Sequence, residues 1–226
     1  MHRRAALARI GVAGAALATP AAAARAASLD PLPRTKDYVV ALVRGHPAID
    51  PKSRPVQKIE PVVMKPDPKM EPAAAPISDH FVGDLHLRYV FDDPQFTLFL
   101  RAHDMKRLGI DRDELPALVV ANFRRLYPKL TVAHPDPGLG VLRNGGTLEP
   151  CALLDARFWE LQQQTVGKEL IVVVPSTDEV IFTSREPKQN IELLKHLAVQ
   201  RYEAAGKRAV SRTVLAWRNY RWEVVA

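Results

Sequence analysis

The sequence predicts an α+β fold, in which an antiparallel sheet of hairpins packs with about three helices. Two patterns support this. Apolar and polar residues alternate in short runs separated by turn residues, as in β-hairpins, and three longer segments repeat apolar residues with a helical period. The strand-like runs follow one another as hairpins and do not alternate strictly with helices, which favours α+β over α/β architecture. A cleavable signal peptide and a proline-rich segment are expected to precede this domain.

Composition narrows the class of protein. The chain has 226 residues, of which 47% are hydrophobic and 25% charged, the proportions of an ordinary globular protein. These values exclude a disordered chain, a collagen and a polytopic membrane protein. The one cysteine, Cys151, excludes an intramolecular disulfide framework and metal sites built from cysteine pairs. Its apolar neighbours indicate a small core residue and not a nucleophile.

Residues 1–26 are typical of an export signal. They contain four arginines and no acidic residue, then an Ala-rich apolar stretch, and end in Ala24-Arg25-Ala26. This pattern predicts a secretory signal peptide cleaved after Ala26, and Arg3-Arg4 fits the twin-arginine route. The apolar stretch is too short for a comfortable membrane span, so no transmembrane span is expected in the mature chain. The alternative is an Ala-rich N-terminal helix retained on a cytoplasmic protein.

Removal of this segment changes the charge balance. The whole chain has a formal net charge of +7, whereas residues 27–226 hold 28 basic and 25 acidic residues, a net charge of +3. More than half of the excess positive charge therefore belongs to the predicted signal. A net charge this small does not favour a nucleic-acid partner.

A proline-rich segment is predicted over residues 27–78, because residues 31–76 hold ten of the nineteen prolines. Proline lacks a backbone N–H, so this stretch is not expected to form a regular core. Within it, the pattern predicts an amphipathic helix at 35–44, an edge strand at 56–64 and an extended linker at 66–76. Residues 79–226 are expected to form the α+β domain, with 79–128 and 129–226 as two candidate subdomains.

The first part of this domain is predicted to contain a hairpin and a helix. Alternation from Leu85 to Phe91 and again from Phe96 to Leu100 predicts two antiparallel strands. Asp111 is expected to be the N-cap of the next helix, with Glu114 as its capping-box partner. That helix should present its apolar face from Leu115 and end before Pro128.

The second part should contain further strands and two more helices. Short strands are predicted at 130–133 and 140–143, a helix at 153–166 ending at Gly167, and a central strand at 169–174. A turn then leads into a strand at 180–183. A helix at 190–205 should end at Gly206, and residues 213–217 and 222–225 should form a closing hairpin.

Several short motifs from residue 55 onward occur in a recognisable order: 56–65 with Glu60-Pro61-Val62-Val63, 85–92, Phe99-Leu100, Leu108-Gly109-Ile110, Ala121-Asn122-Phe123, Ala152-Leu153-Leu154-Asp155, Trp159, Val174-Pro175, Asp178 and Phe182. In this order the chain resembles a family of uncharacterised bacterial proteins, domain of unknown function 1444. The resemblance implies a bacterial protein but supplies no catalytic residues.

The candidates for catalysis are weak. Four acids can provide paired carboxylates for hydrolysis: Asp155, Glu160, Asp178 and Glu179. The hydrolase hypothesis uses Asp155 and Asp178 with a histidine, but Asp155 is more simply explained as a helix N-cap and Asp178 as a turn residue. No nucleophile elbow, P-loop, zinc-protease motif or dinucleotide fingerprint is present in the sequence. Three sets of histidines and carboxylates are more simply polar surface than metal sites: Asp79, His80, Asp84 and His86; His103 and Asp104; and His134 and Asp136. We therefore expect no metal and no cofactor.

The closing hairpin is the best candidate for a binding surface. Basic and aromatic residues interleave there, although the two tryptophans can instead face the core and cation–π pairs can simply stabilise the hairpin. The residues concerned are Trp217, Arg218, Tyr220, Arg221 and Trp222.

Three functions follow from these patterns. The favoured one is an exported, periplasmic or extracellular, non-catalytic protein that binds an envelope protein or an anionic partner. The alternatives are a hydrolase using Asp155 and Asp178, and a cytoplasmic nucleic-acid binder. The sequence leaves the oligomeric state open.

Overall fold

Antiparallel sheets and packed helices make up the computed structural model, which describes residues 34–45, 75–92, 97–143, 146, 148–167 and 169–225. The predicted α+β class is confirmed. The first sheet has the order β1-β3-β2, with β4 also pairing with β3. Because β2 pairs with one end of β3 and β4 with the other, β3 is the central strand. Its strands are β1 (Val39–Gly45), β2 (Ser78–Val82), β3 (Leu85–Asp92) and β4 (Thr97–Phe99).

The second sheet has six strands in the order β10-β9-β7-β8-β6-β5, and every pairing in it is antiparallel. Its inner strand β7 is buried along its whole length, as predicted for this Val-rich run. The strands are β5 (Val132–Ala133), β6 (Leu139–Leu142), β7 (Leu170–Ser176), β8 (Glu179–Ser184), β9 (Leu215–Arg218) and β10 (Arg221–Val224).

Four α-helices lie in the described part of the chain: α1 (Ala102–Leu108), α2 (Leu115–Leu126), α3 (Ala156–Val166) and α4 (Gln189–Ala205). Short 3-10 helices cover Lys36–Tyr38, Glu149–Leu154 and Gly206–Arg208. The predicted ends of α3 and α4 are confirmed, since Gly167 and Gly206 are their C-caps. None of the described helices is long and apolar enough to cross a bilayer.

The two faces of β7 pack against different helices. Ile171 and Val173 join Leu194 and Ala198 of α4 in one cluster. Leu170, Val172 and Val174 belong instead to the main core, which also contains Trp159 of α3 and extends to the first sheet. Helices α3 and α4 therefore cover opposite faces of the second sheet, because side chains alternate along a strand.

Two predicted hairpins are confirmed. Strand β3 pairs with β4, from Val90–Phe99 to Asp92–Thr97, and β9 pairs with β10, from Leu215–Val224 to Arg218–Arg221. In both, the alternation of large apolar residues is the signal that located the strands.

The helix predicted at 35–44 is wrong. Residues Lys36–Tyr38 form a 3-10 turn, and Val39–Gly45 form strand β1, which pairs with β3 along its whole length. The apolar residues at 38, 39, 42 and 43 fit a helical period, but Val40 and Ala41 between them are also apolar and buried. A continuous run rich in valine suits a strand buried on both faces.

The capping box predicted at Asp111 and Glu114 is also wrong. Helix α2 begins at Leu115 with Glu114 as its N-cap, no side chain caps it, and a proline lies in its first turn. Proline is well suited to that turn because the missing N–H would be unpaired there. A capping box is found instead at the start of α1, where the Asp104 carboxylate accepts a hydrogen bond from the Arg101 N–H at 3.2 Å. Asp104 is therefore a buried capping residue and not the polar surface residue that the sequence predicts.

Several predictions lie outside the described residues. These are the signal peptide over 1–26 with Arg3, Arg4, Ala24 and Ala26, the edge strand at 56–64, and nearly all of the linker at 66–76. Within the proline-rich segment, β1 is described, and it belongs to the same sheet as β3 of the α+β domain.

Candidate functional site

The closing hairpin ends in a tight two-residue turn. Asn219 and Tyr220 connect β9 to β10, and both have left-handed backbone conformations, with φ of 48° and 61°. Positive φ at both central residues is the signature of a type I′ turn, whose twist matches that of the flanking strands. Tyr220, at the tip of this turn, is 69% exposed.

The two tryptophans of the hairpin face the interior. Trp217 is 4% exposed and Trp222 is partly buried. Their rings lie 4.8 Å apart, and Trp222 also contacts Trp159 edge-on at 5.1 Å. The Trp222 indole N–H donates to the Leu153 carbonyl at 2.8 Å, which satisfies its polar atom. The structure therefore gives both tryptophans a packing role, and Trp217 reaches the surface only at its edge.

One of the two arginines of the hairpin, Arg218, is paired with carboxylates. Arg218 Nη2 donates to both carboxylate oxygens of Glu169 at 3.3 Å, and its other terminal nitrogen lies 3.9 Å from Glu223. Arg221 is exposed on β10. The hairpin thus lacks the row of unpaired cations that binding along a phosphate backbone requires.

Beside the turn lies an open cleft of about 580 Å³, between the hairpin and helix α3. One wall is a polar stripe of α3 formed by Glu160, Gln163 and Gln164, whose helical spacing places them on one face, and it ends at the C-cap Gly167. The opposite wall belongs to the β9–β10 turn. The lining residues are Glu160, Gln163, Gln164, Gly167, Trp217, Asn219 and Tyr220.

Tyr220 connects the two walls of this cleft. The neighbouring Glu160 carboxylate raises the pKa of the Tyr220 hydroxyl above its ordinary value. The Tyr220 ring lies 6.4 Å from that of Trp217 in an edge-to-face arrangement. Both contacts hold the exposed ring over the polar stripe of α3, so the cleft combines an aromatic surface with amide and carboxylate groups.

Sequence reasoning located the hairpin but missed the helical wall. Gln163 and Gln164 lie in a run of three glutamines within a helix that was correctly predicted. A helical projection places Glu160, Gln163 and Gln164 on one face, centred about a quarter of a turn from the buried Trp159. No pattern in the sequence indicates that this face of α3 lies opposite Tyr220.

The Asp155 carboxylate pairs with an arginine and caps the N-terminus of α3. Its carboxylate accepts from Arg124 Nε at 2.6 Å and Nη2 at 2.5 Å, and from the Phe158 N–H at 3.0 Å. Burial alone would raise the pKa of Asp155, but the hydrogen bonds from Arg124 and Phe158 outweigh it and the pKa is lowered. The predicted N-cap role is observed in these contacts. A carboxylate stabilised in its charged form is a poor general acid.

Asp178 occupies the turn between β7 and β8. Its carboxylate accepts from the Ser176 hydroxyl at 2.7 Å and forms an ion pair with Arg208. Asp155 therefore pairs with Arg124, whereas Asp178 pairs with Arg208 on a different element. Neither carboxylate has a histidine among its described contacts. They do not form the carboxylate–histidine arrangement that a hydrolase of this type needs.

The histidines take part in local contacts. His80 and His86 are paired across β2 and β3, with ring centroids 5.3 Å apart. His80 Nε2 lies 3.0 Å from the Gly83 carbonyl. Asp84 accepts from the Ser211 hydroxyl at 2.7 Å and 2.8 Å. Across the described ranges, no group of three or more His, Cys, Asp or Glu side chains is arranged to hold a metal ion.

Comparison of the chain with protein-family models, with curated proteins and with solved structures finds no match. The resemblance to domain of unknown function 1444 therefore stays a prediction. Function has to be argued from the site itself.

Proposed function

We propose that this protein is exported and acts in the cell envelope as a non-catalytic binding protein, with the cleft between α3 and the β9–β10 turn as its contact surface. The observation that carries the proposal is Tyr220: a large aromatic side chain that is 69% exposed, at the tip of a rigid hairpin and beside a polar cleft. Aromatic side chains presented in this way are the usual anchors of binding sites.

Export is supported by the sequence of residues 1–26, with its basic start, apolar centre and Ala-x-Ala end. The state of the one cysteine is compatible with it. Cys151 is buried, and burial, as the largest cause, raises the pKa of its thiol to about 12. Such a thiol is protected from oxidation, which suits an oxidising compartment.

A binding role is favoured over hydrolysis because the two candidate carboxylates already have structural partners. Asp155 caps α3 and pairs with Arg124, and Asp178 bonds within its own turn and to Arg208. Nucleic-acid binding is disfavoured because Arg218 is paired with Glu169. That pairing also weakens the case for an anionic partner at the hairpin.

The test is co-sedimentation with envelope fragments of the native host. Protein is purified from that host, and its intact mass establishes whether residues 1–26 have been removed. We expect the processed protein to sediment with the fragments, and Tyr220→Gly to reduce the bound fraction at least about fivefold, as loss of a central aromatic anchor does.

The matched control is Leu193→Ala. Leu193 is also an exposed apolar residue, at 45%, but it lies on α4, which covers the other face of the second sheet, and its loss should leave sedimentation unchanged. Retention of residues 1–26 would refute export. Equal sedimentation of the wild type and Tyr220→Gly would refute the assignment of the binding surface.

A further inference from the structure

We propose that the cleft between α3 and the β9–β10 turn binds an uncharged saccharide, with the sugar ring stacked on Tyr220 and its hydroxyl groups bonded to the carboxamides of the cleft. This inference rests on the proposed binding function and adds the class of ligand. It comes from three features of the cleft: its polar groups, its charge and the conformation of Tyr220.

The polar groups match hydroxyl-rich ligands. Three carboxamides line the cleft, those of Gln163, Gln164 and Asn219. Each carboxamide has two N–H donors and an acceptor oxygen side by side. A sugar hydroxyl is likewise donor and acceptor at once, so neighbouring hydroxyls can pair with both halves of an amide. The volume of about 580 Å³ is within the range of small-molecule sites.

The charge of the cleft argues against an anion. Among its described lining residues none is cationic, and Glu160 contributes a carboxylate. An anionic ligand would be repelled by that carboxylate and would find no described lining cation to compensate it. The Glu160 carboxylate lies beside the Tyr220 hydroxyl and is itself an acceptor group. An uncharged ligand that offers hydroxyl donors to this carboxylate suits this arrangement best.

The conformation of Tyr220 is the third feature. It occupies the second central position of a type I′ turn at φ 61°, where glycine is strongly preferred because a Cβ is strained there. Tyr220 therefore adopts a strained backbone conformation at a position that favours glycine. Strained residues of this kind concentrate at ligand-binding sites. An exposed ring offers a flat apolar face to the C–H groups of a sugar.

The experiment uses an array of immobilised neutral, anionic and cationic oligosaccharides, with the processed full-length protein as the soluble probe. We expect retention on neutral glycans, with a Kd raised at least about tenfold in Tyr220→Gly and by a smaller factor in Gln164→Ala, in line with truncation of an aromatic anchor and loss of one hydrogen-bonding group. Tyr220→Phe keeps the ring and should bind within about threefold of the wild type.

Two controls separate binding from folding. Gln200→Ala removes an exposed glutamine of α4, on the other face of the second sheet, and should leave glycan binding unchanged. The melting temperature of Tyr220→Gly should equal or exceed that of the wild type, because glycine removes the strain of the turn. A marked fall in the melting temperature would instead show that Tyr220 is retained for stability.

Preference for anionic or cationic glycans, or glycan binding that is the same in wild type, Tyr220→Gly and Gln164→Ala, would overturn the saccharide assignment. So would absence of binding to every neutral glycan. If envelope fragments still retain the protein through Tyr220 in that case, the binding function stands and the ligand class is wrong. If neither surface retains it, both proposals fail.

Discussion

Replacement of Asp155 by asparagine tests whether this carboxylate stabilises the fold or serves chemistry. The side chain is 9% exposed and accepts hydrogen bonds from Arg124 and from the Phe158 N–H. Asparagine keeps the size and the capping oxygen, since Asn and Asp are equally good N-caps. The substitution therefore removes the charge and the hydrogen bond from Arg124 Nε to Oδ2, while the oxygen that caps α3 stays in place.

The magnitude follows from the exposure of the two partners. A hydrogen bond to a charged group contributes about 1.5–3 kcal/mol when buried, but the Arg124 side chain is 48% exposed, and exposed ion pairs contribute about 1 kcal/mol or less. We expect Asp155→Asn to lower the free energy of unfolding by about 1–2 kcal/mol. Asp155→Ala should lower it by about 1 kcal/mol more, because alanine cannot cap α3.

The pH dependence gives a second readout. The pKa of Asp155 in the folded protein is held below its ordinary value of 3.8. The stabilisation is therefore fully present above the unfolded pKa and is lost as pH falls through the lower, folded pKa. Urea unfolding at pH 7 should show the full difference between wild type and Asp155→Asn. The difference should shrink progressively below about pH 4, where the unfolded carboxyl takes up its proton.

Two results would contradict this reasoning. One is equal stability of the wild type and Asp155→Asn at pH 7. The other is a difference that stays constant from pH 7 to pH 3, which would mean that the charge is irrelevant. A double-mutant cycle with Arg124→Met isolates the pair, and we expect a coupling energy within about 0.5–2 kcal/mol.

Three further predictions concern the core. Gly140→Ala should destabilise the protein by about 1–3 kcal/mol, because a Cβ would lie 2.3 Å from the Phe182 ring; an unchanged melting temperature would contradict this close packing. Arg143→Met should cost about 1–2 kcal/mol in urea unfolding, because it leaves the buried Glu179 carboxylate without its ion pair, although Arg143 itself is 53% exposed; a loss under about 0.5 kcal/mol would mean that water replaces the arginine. Cys151 should resist a thiol reagent at pH 8 in the native protein and react once the chain is unfolded, because burial raises its pKa to about 12; labelling of the native thiol would contradict this.

Local signals were sufficient for most elements of the fold. Helices α2 and α4 repeat apolar residues with a helical period, and α3 ends at a glycine where the sequence predicted it. The alternation in β3 and the apolar run of β7 located both strands. These patterns succeed because hydrogen bonding and one-sided burial act over a few neighbouring residues.

Strand β1 shows where local signals fail. Its five buried residues, Val39 to Val43, are compatible with a helix or a strand when considered alone. The choice depends on pairing with β3, which lies some 46 residues later in the register Val43–Leu87 to Val39–Phe91. Pairing of this kind is a long-range contact, and no local propensity contains it.

The candidate site, like the fold, was predicted from the sequence only in part. Local sequence patterns were enough to predict a hairpin with aromatic and basic residues at 213–225, and a helix that carries Glu160, Gln163 and Gln164. Only the packed structure shows that the Trp222 indole N–H donates to the Leu153 carbonyl and that Arg218 pairs with Glu169. It also placed the polar stripe of α3 opposite Tyr220. The direction of a side chain and its partner depend on contacts between residues that are far apart in the sequence. Here α3 and β9 pack on the same hydrophobic core, and this packing brings the polar stripe and the hairpin together.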